Sequence, residues 1–338
     1  MSTRRNDMQA YVINRFGGPE VFESAELPRP EPGPGQVLVR VAASSVNPVD
    51  CKIRRGDVPV GPDFPAVLHA DVAGVVEAIG AGVTAFRPGA EVYGCAGGLQ
   101  GRPGALAEYM LADAELLAPK PARLSLEEAA VLPLVAITAW EAMIEKGRVR
   151  ADEAVLVHGG TGGVGHMAVQ LACWRGAQVA ATASEAAKRE QARQLGADCV
   201  IDYRQETVSQ YVERCTGGRG FDLVFDTVGQ PALDQSIEAA ALKGRVVTIA
   251  GRSTLDIKPA FQKSLSLHTV FMLINMLHDY DKAAHGNILR EVAGLVDSGR
   301  VRPLIHDQRF GFSEVAQAHA LLESGRAMGK ISLVADWT

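Results

Sequence analysis

Paired cysteine spacing is the first thing this chain lacks. Its five cysteines, Cys51, Cys95, Cys173, Cys199 and Cys215, are scattered, with no C-x-x-C and no paired spacing. The pattern argues against a disulfide framework or a cysteine-bound zinc lobe, and for a reducing compartment. No apolar run approaches the roughly 20 residues that cross a bilayer, so no membrane partner is expected. Positive charge is not in excess either: 34 Lys and Arg face 39 Asp and Glu, a net charge of −5. Nothing in that balance calls for nucleic acid or an anionic membrane surface. Arg4 and Arg5 are followed by Asn6 and Asp7 rather than an apolar core, so no signal peptide is expected. The expectation is a cytoplasmic enzyme or binding protein.

What is present is glycine, placed where it has a use. In "EAVLVHGGTGGVGHMAVQLA" (Glu153–Ala172) an apolar run at Ala154–Val157 reads as a buried strand. A glycine cluster follows, and then apolar residues recur at helical spacing through Val164, Ala168, Leu171 and Ala172. Gly160, Gly162 and Gly165 fit G-x-G-x-x-G in the strand–turn–helix context a dinucleotide fingerprint needs. On that reading the first glycine allows the sharp turn, the second lets backbone N–H groups approach a pyrophosphate, and the third packs helix against strand. Thr161, Gly163 and Val164 complete the loop, with the phosphate at the positive end of the helix.

Further strands are predicted at Gln178–Ala183, Cys199–Asp202, Asp222–Asp226, Arg245–Ile249 and His268–Met272. Amphipathic stretches such as Ala186–Leu195 and Pro231–Leu242 fill the gaps, which suits parallel strands joined by crossover helices. Six such strands make an α/β domain with a Rossmann doubly wound parallel sheet. The second strand ends at Ser184, with Lys188 and Arg189 opening the next helix: a small hydroxyl leaves room for a 2′-phosphate and a cation favours it. NADPH is therefore the expected cofactor. Glu185 is the dissenting residue, since a shift of one position would make it a ribose acid, and the two cations also suit an ordinary exposed helix face. Tyr203, Thr227, Val228, the run Ala250, Gly251 and Arg252, and Phe271 with Met272 fall at carboxyl ends of strands, where ligands of open α/β sheets sit. Each suits either a cofactor contact or loop packing.

The amino-terminal part reads as β-rich, dense in Gly and Pro, with Val37, Val39 and Val41 alternating on one strand face. "SVNPVDCKIRRGD" (Ser45–Asp57) interrupts it as a polar loop or helical turn.

Taken in order, "NPVD" (Asn47–Asp50), "HADVAGVVEAIGAGV" (His69–Val83), "GALAEY" (Gly104–Tyr109), "LPLVAITAWEAM" (Leu132–Met143), "HGGTGGVG" (His158–Gly165), "LGADCVIDY" (Leu195–Tyr203), "FDTVG" ending at Gly229 and "GKISLV" (Gly329–Val334) make the chain resemble a known group. That group is the zinc-independent quinone oxidoreductase branch of the medium-chain dehydrogenase/reductase superfamily. The resemblance implies a GroES-like β-rich domain over 8–131 and 285–338, a Rossmann domain over 132–284, the cofactor between them, and a homodimer. It also assigns Thr138 and Lys330 to the cofactor. Zinc-dependent relatives carry a cysteine where Asn47 stands and Gly-His-Glu where His69, Ala70 and Asp71 stand, so no metal site is expected and His69 reads as structural. "NPVDCK" is more similar to the alkenal and enone branch. A group aimed at the carbonyl oxygen would stabilise the charge left when hydride reaches an enone, and Asn47 and Lys52 are the candidates. For Lys52 a phosphate contact or a plain surface charge stays open. The expected activity is NADPH-dependent hydride transfer to a quinone, enal or enone. Alternatives are a non-catalytic NADPH-binding sensor or scaffold, or a zinc-dependent alcohol dehydrogenase.

Overall fold

In the computed structural model, which describes residues 7–337, the chain divides into two units. The first comprises Met1–Leu134, Leu273–Gly299 and Ile305–Thr338, and the second Val135–Met272 and Arg300–Leu304.

The first unit opens with β1 (Asp7–Ile13), β2 (Phe22–Pro28) and β3 (Gln36–Val46), followed by α1 (Pro48–Arg55) and β4 (Ala66–Val67). After these come β5 (Asp71–Ile79), β6 (Glu91–Cys95), β7 (Tyr109–Asp113), β8 (Leu117–Pro119) and α2 (Leu126–Ala130). Strand β3 is central, pairing antiparallel with both β5 and β7. Val37, Val39 and Val41 are buried as their alternation predicts; Leu38 is buried too, while Arg40 on its face is exposed and Ala42 half-buried. The polar stretch after β3 is a helix. Pro48 presets its first turn, the Asp50 carboxylate accepts from the Asn47 N–H at 2.7 Å, and Gly56 ends it at φ 77°.

The chain enters the second unit along α3 (Pro133–Trp140). There β9 (Ala154–Val157), α4 (Gly163–Trp174), β10 (Gln178–Thr182), α5 (Ala186–Gln194), β11 (Cys199–Ile201) and α6 (Val208–Thr216) form the first half. The second half is β12 (Phe221–Asp226), α7 (Ala232–Ala239), β13 (Ala240–Thr248), α8 (Lys258–Gln262) and β14 (Ser266–Thr269). The six strands are parallel in the order β11-β10-β9-β12-β13-β14, the doubly wound arrangement. Their apolar runs are buried on both sides, with Leu156, Phe221, Val224, Ile237 and Val246 in one cluster. Strand β13 starts five positions before the expected Arg245, because a register shift pairs Phe221 with Ala240 but Leu223 with Arg245.

Cys199 and Cys215 are joined in a disulfide, which the absence of paired spacing argued against. The reversal from β11 into α6 brings together cysteines 16 positions apart, a closure that sequence spacing does not advertise. Cys51, Cys95 and Cys173 are free.

The chain returns to the first unit through α9 (Ile274–Leu277), α10 (Lys282–Asp297), β15 (Phe310–Gly311), α11 (Val315–Glu323) and β16 (Ile331–Val334). The return comes before residue 285 because Arg102 donates to the Met276 carbonyl at 2.8 Å and Lys282 to Asp113 at 2.9 Å. Residues 300–304 belong to the second unit because Gln170 bonds both the N–H and the carbonyl of Arg302. Strand β16 pairs antiparallel with β3, bringing Lys330 beside the start of α1.

Candidate functional site

The glycine turn of the second unit is stapled to both neighbouring strands. Gly159 N–H donates to Thr182 Oγ1 at 2.9 Å, and Thr227 Oγ1 donates to the His158 carbonyl at 2.7 Å. The left-handed residue is Gly159 (φ 69°), not Gly160, so the tight turn belongs one residue earlier than the fingerprint suggests. Gly160 is required for closeness instead: a Cβ there would lie 2.6 Å from Ala181 Cβ. At Gly165 it would lie 2.0 Å from the Gly159 carbonyl oxygen, so α4 packs directly on the turn. Gly162 caps α4 without a side-chain bond, leaving first-turn N–H groups at Gly163 and Val164 for a ligand. Thr161 is buried beside them.

At the end of β10, Ser184 is half-buried and Lys188 reaches back to Glu185 at 3.5 Å. Arg189 is engaged elsewhere, bonding the Ser184 carbonyl at 2.6 Å and Asp202 at 2.5 Å. Ser184 and Lys188 follow the carboxyl end of β10 and the exposed Tyr203 that of the neighbouring β11, with Glu185 exposed at the cap of α5. At the end of β12, buried Asp226 accepts from the N–H groups of Val228 and Gly229, both at 2.9 Å, and from Thr248 Oγ1 at 2.8 Å. That holds Val228 outward, 60% exposed. Phe271 is 56% exposed, whereas Met272 is buried, so of that pair only Phe271 presents its side chain. Ala250 is tied to Thr248 Oγ1 at 3.0 Å, Gly251 and Arg252 are exposed, and Thr138 is buried on α3.

In the first unit the expected substrate residues part company. Asn47 is fully buried: its Nδ2 donates to Asp71 Oδ2 at 2.8 Å and its Oδ1 accepts from Lys330 Nζ. Asp71 also accepts from Ser45 Oγ at 2.7 Å and Leu134 N–H at 2.8 Å. Lys330 is buried, bonds the Val46 carbonyl at 3.0 Å and lies 3.5 Å from Asp71 Oδ2. Of the three donors of its ammonium, two are spent on Val46 and Asn47 with Asp71 within ion-pair range, so Lys330 is engaged within the first unit, where the expectation had placed it on the cofactor. Burial pushes this lysine down, with Asp71 and Asp50 opposing but not overcoming it; burial pushes Asp50 up to about 7. Asn47 thus positions α1, while on the same helix the Lys52 carbonyl accepts from the Asp57 N–H at 2.9 Å and its side chain is exposed.

Beside this network runs a second buried chain that sequence reading did not assemble. Ser44 Oγ donates to the Asp71 carbonyl at 2.6 Å, so toward His69 Nδ1 (3.2 Å) it must accept. His69 Nε2 is then a bare acceptor for His319 Nε2–H at 2.9 Å, and His319 Nδ1 accepts the Cys51 thiol at 3.3 Å. Burial pushes His69 down to about 3 and His319 well below its ordinary value, and pushes Cys51 up to about 12, as this neutral chain requires. His69 is a satisfied structural histidine.

Residues 33–122 match the alcohol dehydrogenase GroES-like domain and residues 195–333 the zinc-binding dehydrogenase domain. The NADPH-dependent alkenal/one oxidoreductase of Arabidopsis thaliana is 34% identical over 96% of this chain and 79% of its own length. The quinone oxidoreductase of Rattus norvegicus is 31% identical over 99% of this chain and 100% of its own. The chain belongs to the medium-chain dehydrogenase/reductase superfamily. A superfamily structure from Novosphingobium aromaticivorans superposes with a TM-score of 0.93 at 40% identity, covering 97% of this chain and 100% of that one. The superfamily's zinc does not fit the residues here. Asn47 spends both side-chain atoms on Asp71 and Lys330, Ala70 offers no donor, and no group of three or more His, Cys, Asp or Glu among the described residues could hold a metal ion.

Proposed function

We propose that the protein is an NADPH-dependent reductase that delivers hydride to a quinone or an α,β-unsaturated carbonyl without a metal ion. The observation that carries this reading is the uncapped amino end of α4 behind a turn in which Gly160 and Gly165 admit no Cβ. Such a turn suits a pyrophosphate, and Ser184 with Lys188 suits a 2′-phosphate. NADPH, when bound, supplies the hydride.

The chain's own residues position and stabilise. Val228 and Phe271 offer apolar faces at the strand ends, and Tyr203 offers one for the adenine. Hydride reaching the β-carbon of an enone pushes its π electrons onto the carbonyl oxygen. The Lys52 ammonium meets that charge as an oxyanion donor, and Asn47 fixes the helix that carries it. With quinones the same charge falls on a ring oxygen, which needs only a proton to become a hydroxyl. The alkenal/one and quinone oxidoreductase relatives support both substrate classes. Edge strand β14, exposed along Ser266, Leu267 and Thr269, suits pairing with a second copy in a homodimer. No helix among the described residues is long and apolar enough to cross a membrane.

The test is NADPH oxidation measured with quinones, enals and enones, run in parallel with NADH. Turnover faster with NADPH supports the reading; tight NADPH binding with no turnover on any electrophile favours a sensor instead.

A further inference from the structure

The other end of the second unit's sheet carries a feature that hydride transfer does not use. Val155, Leu223, Arg245 and Ser266 lie in register across β9, β12, β13 and β14, toward the amino ends of β9, β12 and β14 and opposite the glycine turn. There Lys146, Arg148, Arg150, Arg245 and His268 line a cavity of about 490 Å³, together with Glu145 and Ser266. Arg245 is neutralised by Glu153 at 2.6 Å and also donates to the Arg148 carbonyl at 3.3 Å. Four cations against Glu145 and Glu153 leave two positive charges in excess, in a chain whose net charge is −5.

Two further observations point to a ligand rather than a solvated face. Arg148 holds a left-handed backbone, φ 49°, which is unfavourable for a residue with a side chain and concentrates at functional positions. His268 is held below its ordinary value first by burial and then by Lys146, Arg148 and Arg245, so the 146–148 segment and strand β13 both direct charge at one imidazole.

We propose that this cavity binds a small, multiply charged oxyanion of the phosphate class, at a site separate from the dinucleotide. Two excess charges match a dianion, and guanidinium forks match its oxygens. A concave site on an acidic protein suits a small anion rather than a nucleic-acid strand.

Inorganic pyrophosphate is the probe, added to the full chain saturated with NADPH so that the dinucleotide's own phosphate contacts are occupied. The readouts are calorimetry and the His268 imidazole resonance followed against pH. One saturable equivalent is expected, with the His268 pKa rising as the anion offsets Lys146, Arg148 and Arg245. Lys146→Ala and Arg148→Gly should each weaken binding about tenfold, the effect of losing one charged contact. Glycine accepts the left-handed backbone, so Arg148→Gly removes the cation without endangering the fold. Repeating the titration without NADPH separates this site from a failure of NADPH to bind. No response through about 10 mM, where even a weak site fills, or equal affinity in both variants, would overturn the proposal.

Discussion

Lys330 donates a hydrogen bond to Asn47, 283 positions away, and both side chains are buried. The contact joins β16 to the start of α1 and shares Asp71 with it. Lys52 owes its place on the surface to that anchor, since Asn47 is the residue from which α1 begins.

Lys330→Met leaves the Asp71 carboxylate buried without its cation. The expected cost is about 3–5 kcal/mol, typical when one partner of a buried pair is removed, measured by urea unfolding. The KM for NADPH of the folded fraction should stay within about threefold of the native value, a shift too small to represent a lost charge contact. Native stability with a KM raised tenfold would return Lys330 to the cofactor.

Gly165→Ala forces a methyl group against the Gly159 carbonyl, a backbone atom with nowhere to go. Destabilisation of about 1–3 kcal/mol is expected from overpacking, with a larger loss of dinucleotide affinity as α4 is pushed off the turn. Isothermal titration with NADPH checks it, and unchanged affinity would contradict the placement of the phosphate site.

Cofactor choice turns on β10 and α5. Ser184→Asp with Lys188→Ala puts a carboxylate where a 2′-phosphate is expected and removes the nearby cation. The ratio of kcat/KM for NADPH to that for NADH should fall at least about a hundredfold, two charge-assisted contacts' worth. A ratio that does not move would mean that Glu185 already reads the ribose.

Acid should destabilise the fold. Burial lowers His69 to about 3, His158 to about 4 and His319 well below its ordinary value, while the unfolded chain protonates near 6.5. Below that pH the unfolded state binds more protons, so stability falls progressively from about pH 6.5 toward 4 and 3. Asp50, raised to about 7, carries the opposite slope between about 4 and 7, but one carboxyl does not offset three imidazoles. Urea midpoints at pH 8 and pH 5 should differ, the lower at pH 5. Replacing His319 by Gln should flatten the difference, and an unchanged slope would count against the neutral chain.

Local pattern made the second unit legible. Parallel strands buried on both faces read as short apolar runs, and Ala154–Val157 is such a strand in the structure. The residues that need closeness in space were not legible. Gly159 rather than Gly160 takes the left-handed turn, a distinction between adjacent glycines that only the backbone shows. The Cys199–Cys215 disulfide depends on how α6 reverses over β11. Asn47 reads as polar and available until Lys330 and Asp71 arrive from distant strands to occupy it. The pairing of His69 with His319 across 250 positions is likewise a product of folding alone.

In the proposed reaction hydride passes directly to a conjugated carbonyl whose developing charge meets Lys52. The most direct measurement follows NADPH deuterated at the transferred position, reacting with an enone in the native protein and in Lys52→Ala. Deuterium is expected on the β-carbon of the product, with kcat falling about 10²-fold in the variant, the usual loss of one oxyanion donor, while NADPH affinity is kept. Deuterium on the carbonyl carbon, or an unchanged kcat across several enones and quinones, would contradict it.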